Sequence, residues 1–418
     1  MKQASDVVND ADPNAITIEQ ARARILEQLV PVSEEESLEA TSALGRVLAQ
    51  DVVSPMNVPA FRASAMDGYA VRVSDCATRL TVIGQSLAGH PGSDQLQAGT
   101  AQRITTGARV PDDADAVVQQ ENVVLENNII SIEKLPHSGL HIRNPGTDSA
   151  KGCVLIKAGE PVNAAELGLL AAHGISQVVV KRKLRIALFS TGDELVEAGD
   201  QLANGQIYDS NRALLRALLT DACCDVSDLG IVKDSVDDLN RVFDDALHAD
   251  LVISSGGVSV GDADFVKDVL DSRGSINLWK IAMKPGRPLT FGVLDQGSLF
   301  FGLPGNPVSA ALTCLLFVKP AITSLCGSVP HITPPLHLPL TGSLTKNPGR
   351  VEYQRARLLA PDNGQHWSVT TTGLQDSHVL SSLHKADCLI ELPIESSGAK
   401  EGELVRVIPF THYSRSLM

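Results

Sequence analysis

Aromatic residues are scarce in this sequence: nine Phe, four Tyr and two Trp make up 4% of 418 residues. Val, Leu, Ile and Ala must therefore fill its cores. Positive charge is also short, with 35 Lys and Arg against 49 Asp and Glu, a formal net charge of −14. An acidic chain without a basic stretch is poorly suited to nucleic acid or an anionic membrane as partner. An anionic small substrate would need a locally basic pocket. No hydrophobic run is long enough to span a bilayer. The longest, Val308 to Val318, is expected to end at Lys319-Pro320 and reads as a buried helix. The N-terminal MKQASDVVND lacks the apolar stretch of a secretory signal. Seven cysteines contain no C-x-x-C pair, and the adjacent Cys223 and Cys224 cannot readily bridge. Reduced thiols in a cytoplasmic protein, without a zinc site, are the expectation. The absence of a Walker loop and of G-x-G-x-x-G counts against a P-loop NTPase or a dinucleotide oxidoreductase. H-E-x-x-H does not occur, and nucleophilic serine or cysteine catalysis is not the expectation.

What is present divides the chain by pattern. Residues 17–30 read as a helix opened by a capping box of Thr17 and Gln20. From about 53 to 150, β-branched segments such as LTVIGQSLAG and ADAVVQQENVV alternate with Gly, Pro, Asn and Asp, which predicts a strand-rich domain. Helical patterning returns at 163–173, with Asn163 as cap and Gly174 as stop. Helices on both sides of the β-rich block mark that block as an insertion. Over 184–328, short apolar runs (RIALFS, DVSDLGIV, DLVISS, SLFFGL) alternate with helical patterns, which predicts a parallel α/β sheet. Beyond Pro330, segments such as VEYQRARLL, CLIELP and LVRVIPF predict a small β-barrel or sandwich. The expected architecture is multidomain α/β: a discontinuous mixed domain (15–52 and 153–183), a β-rich insert (53–152), a central α/β domain (184–328) and a C-terminal β domain (329–411).

Four loops of the α/β domain directly follow strands: Ser190 to Glu194, Lys233-Asp234-Ser235, Ser254 to Asp264, and Leu303 to Ser309. Open parallel sheets bind ligands beyond the carboxyl ends of their strands, so these loops should meet at one crevice. In SSGGVSVGDAD, Gly256-Gly257 lets the backbone approach an oxyanion, and Ser254, Ser255 and Ser259 add hydroxyls. Asp262 and Asp264 either cap the next helix or hold Mg²⁺. In LPGNPVSA, Asn306 fits an N-cap and Pro307 the first helical position, either as ordinary helix initiation or as a second oxyanion site. KIAMKPGRP gathers Lys280, Lys284 and Arg287, either as solvated surface charge or as a patch that serves those loops. Asp67-Gly68-Tyr69 and Thr105-Thr106-Gly107 read, singly, as turn chemistry.

The ordered set PAFRASAMDGYAV, RITTGARVP, DADAVVQQE, LFSTGDEL, IYDSNR, SSGGVSVGDADF, KPGRP and GLPGNPVSA resembles the molybdopterin molybdenumtransferase family, which includes the equivalent domain of gephyrin. The resemblance runs from about residue 15 to 411. It implies a homodimeric cytoplasmic enzyme, in transient contact with the adenylylating enzyme, that converts molybdate and adenylylated molybdopterin to molybdenum cofactor and AMP with Mg²⁺. It also implies a site between the α/β domain of one subunit and the inserted domain of the other, which gives Asp67 and Thr106 a role. On that reading Glu194, Asp234 and Asp264 hold Mg²⁺ at the pyrophosphate. Lys280, Lys284 and Arg287 hold phosphate or molybdate charge. Gly256, Gly257 and Ser259 donate hydrogen bonds, and Pro304, Gly305, Asn306, Pro307 and Ser309 frame the molybdate. Arg355, Ser377 and His378 match family patterns near the site. His141 and Thr147 stand where the family usually has Asn and Glu. Two other readings are an enzyme of the adjacent adenylylation step and a non-catalytic scaffold related to gephyrin; the inserted and C-terminal domains, together with intact carboxylate loops, favour the first reading.

Overall fold

The computed structural model describes residues 10–256, 269–328, 334–361 and 366–413. The chain folds as two compact units: one of Met1–Ala49, Gly159–Ala164 and Val179–Met418, the other of Gln50–Ala158 and Ala165–Val178.

The larger unit is built on a six-stranded sheet. Its order is Cys224–Val232, Leu184–Thr191, Leu251–Ser255, Leu299–Leu303, Pro288–Leu294, Gly274–Lys280. The first four strands run parallel, as their apolar character predicts. The last two are antiparallel, so the sheet is mixed rather than wholly parallel. Alternate residues of the strand Leu184–Thr191 serve two cores. Leu184, Ile186 and Leu188 pack with Leu215 and Leu219 of the helix Ser210–Leu219, and Ala187 and Phe189 pack with Leu239 and Phe243 of the helix Val236–Asp245. Phe189 and Phe243 meet edge to face at 5.8 Å, one of few aromatic contacts in an aromatic-poor chain.

The opening helix runs from Ile18 to Leu26 behind the expected Thr17–Gln20 capping box. It stops short of residue 30 because Pro31 disfavours helical geometry at Val30 and the chain turns at Gln28 and Leu29. The apolar helix does not end at Lys319-Pro320. It continues as Pro307–Thr313, a π-turn Cys314–Val318 and Lys319–Leu325. By length and hydropathy it could cross a membrane, yet 78% of its most apolar stretch is buried, which is how a core helix is packed. The helix expected near 262–274 falls largely outside the described residues.

The C-terminal part of this unit is a curled sheet of Met283–Lys284, Val351–Leu359, Cys388–Leu392, Leu404–Pro409 and Leu336–Pro339, with Ser368–Thr371 also paired to Val351–Leu359. The smaller unit holds a second six-stranded sheet: Ala116–Gln119, Gly68–Val71, Thr100–Ile104, Leu80–Ser86, Ile129–Ile132, Val123–Glu126. Its two faces carry separate cores, around Val71, Leu80 and Ile130 on one side and Ile104, Val110 and Val117 on the other. The helix Ala164–Ala172 belongs to this unit, and Gly174 closes it at φ +67°.

Candidate functional site

In the larger unit the chain reverses its direction of travel across the sheet at Leu184–Thr191, which has Cys224–Val232 on one side and Leu251–Ser255 on the other. Ligands of open sheets bind at such a switch point, beyond the carboxyl ends. Ser190 and Ser255 are registered neighbours there, as are Ser255 and Leu303. Three buried hydroxyls at this edge, of Ser190, Thr191 and Ser254, have no hydrogen-bond partner among the described residues. Buried polar groups are nearly always satisfied, so orphans clustered at one sheet edge mark a place built for a polar ligand.

Gly256 sits beside them at φ +88°, where a Cβ would stand 2.6 Å from the Thr191 carbonyl; only glycine lets these strand ends close. Its N–H donates to the Leu303 carbonyl at 3.1 Å, which ties the third loop to the fourth. Gly257, Ser259 and Asp264, predicted at this site, lie outside the described residues. The first loop is acidic. At Gly192 a Cβ would lie 2.7 Å from Glu194 Oε2, so the glycine leaves room for the Glu194 carboxylate to fold back. The Asp234 N–H donates to Asp193 Oδ1 at 3.4 Å. Desolvation, then the like charges of Asp193 and Glu194, pushes the Asp234 carboxyl above the usual carboxylate range. Glu194 and Asp234 are thus brought to one edge, and a hard cation with oxygen ligands fits this repelling set. Among the described residues, no three such side chains already converge on a single point.

The fourth loop places Pro304 in the core, leaves Gly305 and Asn306 exposed, and buries Ser309. Asn306 occupies the N-cap position, with Pro307 in the first turn, but its side chain makes no capping bond. Not every N–H of this helix start is open to an oxyanion: the Val308 N–H donates to the Ser377 carbonyl at 3.1 Å. Ser377 therefore meets the loop through its backbone, while His378 is exposed. Arg355 is 0% exposed. Its Nε donates to Ser382 Oγ at 3.0 Å and its Nη2 to the Asp376 carbonyl at 3.1 Å, and burial pulls its pKa down to about 10. It is a strut beneath the 374–379 loop, not a surface anchor for an anion.

The basic trio is half exposed and already engaged. Lys280 lies 3.8 Å from Asp12, Arg287 also pairs with Asp12, and Lys284 lies 3.4 Å from Glu352. Arg350 pairs with Asp10 nearby. The expected positive patch is thus largely neutralised by the protein's own carboxylates. The charge pattern around KPGRP gave no sign of this, because Asp12 is 275 residues from Arg287.

In the smaller unit, Asp67 and Thr106 meet directly. Asp67 Oδ1 accepts from the Thr106 N–H at 2.6 Å and from the Thr106 hydroxyl at 2.8 Å. The backbone bond first, then the hydroxyl, holds the exposed Asp67 carboxyl below the usual range, so it is an ionised acceptor. His141 adopts φ +53°, the left-handed region that Asn enters readily, and Thr147 caps its own turn by donating to the Asn144 carbonyl at 2.7 Å.

A separate cleft of about 870 Å³ in the larger unit, lined by Leu214, Leu218, Leu315, Leu383 and Phe410 among others, is apolar and includes none of the loop residues. It does not have the chemistry of an oxyanion site.

Fold and site together define an α/β protein with hydroxyl, glycine and carboxylate loops at the switch point of its sheet. Residues 16–174 match the MoeA N-terminal region (domain I and II), 187–324 a probable molybdopterin binding domain, and 337–410 the MoeA C-terminal region (domain IV). Molybdopterin molybdenumtransferase of Haemophilus influenzae is 44% identical over 95% of this chain and 99% of its own length. Gephyrin of Dictyostelium discoideum is 34% identical over 94% of this chain, which spans 62% of that protein. The solved molybdopterin biosynthesis MoeA protein of Pyrococcus horikoshii superposes with a TM-score of 0.78 at 31% identity, covering 96% of this chain and all of that one. The chain belongs to the molybdopterin molybdenumtransferase family and is an enzyme of molybdenum cofactor biosynthesis.

Proposed function

We propose that this enzyme inserts molybdate into adenylylated molybdopterin and releases AMP, working as a cytoplasmic homodimer that receives its substrate from the adenylylating enzyme. The observation that carries the reading is the cluster of buried hydroxyls of Ser190, Thr191 and Ser254, unpartnered among the described residues, with Gly256, Glu194 and Asp234 in the adjoining loops. Hydroxyls and open backbone N–H groups suit phosphate and pterin. Paired carboxylates suit the cation that a pyrophosphate carries. Glu194 and Asp234, with Asp264, would hold Mg²⁺, which supplies charge neutralisation at the phosphoanhydride as AMP leaves. The exposed tip of the fourth loop, Gly305 and Asn306, faces solvent and can meet the oxyanion. Lys280, Lys284 and Arg287 are already paired with Asp12 and Glu352, so an anion bound there competes with those carboxylates. Asp67, ionised and fixed by Thr106, is suited to orient a ligand donor or a water. None of the seven cysteines forms a disulfide, which suits a reducing compartment.

The test is AMP release from adenylylated molybdopterin, with and without molybdate and with and without a chelator. Release that requires both molybdate and Mg²⁺, and that Glu194→Ala abolishes without loss of fold, supports the reading. Release that ignores molybdate, or turnover unchanged in Glu194→Ala, overturns it.

A further inference from the structure

Asn211 was not among the residues singled out from the sequence, although IYDSNR is one of the motifs that carry the family resemblance. The structure gives it a defined task. It lies in the first turn of the helix Ser210–Leu219 and is 8% exposed. Its Nδ2 donates to Ser255 Oγ at 2.9 Å and to the Gly305 carbonyl at 2.7 Å. An amide nitrogen has two hydrogens, and both are used here, one on each of two ligand loops.

Each bond fixes the direction of a donor. Ser255 Oγ accepts from Asn211, so its own hydrogen remains for another acceptor. The Gly305 carbonyl is turned toward Asn211. Because a trans peptide is planar, with C=O and N–H opposed, the Asn306 N–H is turned the other way, out from the packed helix. Asn211 is itself held rigidly. Asp209 caps the helix by accepting from the Arg212 N–H at 3.0 Å, and Arg212 bonds Asp209 at 3.0 Å and Asp228 at 2.6 Å and also pairs with Glu197. Neighbours on both sides are pinned, so the backbone that carries the amide is fixed.

We propose that Asn211 is a positioning residue that presents the Ser255 hydroxyl and the Asn306 N–H as preset donors to the anionic part of the substrate, its phosphate or the molybdate. This rests on the reading that the loops at Ser254–Gly256 and Pro304–Ser309 bind that anion. Preset donors raise affinity because the loops need not be ordered at binding.

The test compares Asn211→Ala, the isosteric Asn211→Asp, Ser255→Ala and the double variant, with Leu219→Val as a core control on the same helix. Calorimetric affinity for adenylylated molybdopterin and the steady-state constants of AMP release are both measured. Asn211→Ala should weaken binding and raise KM at least ~10-fold with a smaller change in kcat. Asn211→Asp should be no better, since a carboxylate opposes the Gly305 carbonyl despite its equal volume. The Asn211→Ala loss should shrink in the Ser255→Ala background, because the two act on one group. Leu219→Val should lower Tm and leave affinity unchanged. Affinity within twofold of wild type in Asn211→Ala, full rescue by Asn211→Asp, or an equal loss of affinity in Leu219→Val would overturn the assignment. Tight binding by wild-type enzyme that releases no AMP would refute the proposed reaction, and Asn211 would then stand or fall on the affinity ratio alone.

Discussion

Asp67 shows how one residue's neighbours narrow its chemistry. Its two bonds to Thr106 lower its pKa, the backbone N–H more than the hydroxyl. An acid whose pKa is lower in the fold than in the unfolded chain adds stability above its ordinary value, near 3.8, and loses that contribution as pH falls through the folded pKa. Asp67 therefore stays ionised throughout the neutral range and gives no limb to a pH–rate profile between about pH 5 and 9. Thr106→Val keeps the stronger backbone bond and should cost about tenfold in turnover, whereas Asp67→Asn removes the charge and should cost about 100-fold, with Tm nearly unchanged in both. Steady-state assays and thermal scans of the two variants check this; an Asp67→Asn enzyme with wild-type kcat would show that the charge is not used. Residues of this kind were partly legible. Asp67 and Thr106 stood out as turn residues, but their contact joins positions 39 apart, which no local pattern contains. Arg355 misled for a different reason. It was named by its match to a family pattern, and such a match carries no burial: its strand, Val351–Leu359, is buried over five consecutive residues.

At the scale of elements, the strands and helices around the site were legible because each short apolar run is followed within two residues by Gly, Ser or Asp. The antiparallel pair Gly274–Lys280 and Pro288–Leu294 was not, because the charged, Pro- and Gly-bearing segment between them dominates the local pattern. Nor was the continuation of the apolar helix through Pro320. A proline inside a helix offers no N–H to the carbonyl four residues back, here that of Leu316. The chain widens into a π-turn at Cys314–Val318, and Arg22 of the opening helix donates its Nε to the Leu316 carbonyl at 2.9 Å. Arg22→Met should therefore destabilise the protein by about 1–2 kcal/mol. In a Pro320→Ala background, the restored N–H can serve that carbonyl, so the cost of Arg22→Met should fall by about half or more. Denaturant unfolding of the four proteins of this cycle measures the coupling; strictly additive losses would mean that Arg22 acts by packing alone.

For the molecule as a whole, the groups assigned to one reaction are divided between two compact units. Glu194, Asp234 and Asn211 belong to the larger, and Asp67 and Thr106 to the smaller. The family resemblance implies that each site draws on two chains of a homodimer rather than on one. Subunit mixing separates these. In a two-fold dimer with sites shared between subunits, a heterodimer of Asp67→Ala and Glu194→Ala collects both lesions in one site and leaves the other intact. Random exchange makes half of the dimers mixed, and each of these recovers one site of two, so two nearly inactive variants together should regain about a quarter of wild-type AMP release. The recovery should appear only after partial denaturation and refolding together, and sedimentation should show a species of twice the 44.3 kDa chain mass. If each subunit builds its own site, every site in the mixture carries one lesion, and activity stays at the level of the separate variants. Asp67 would then have to reach the carboxylates of its own chain, and the carboxyl edge of the mixed sheet would be complete without a second copy.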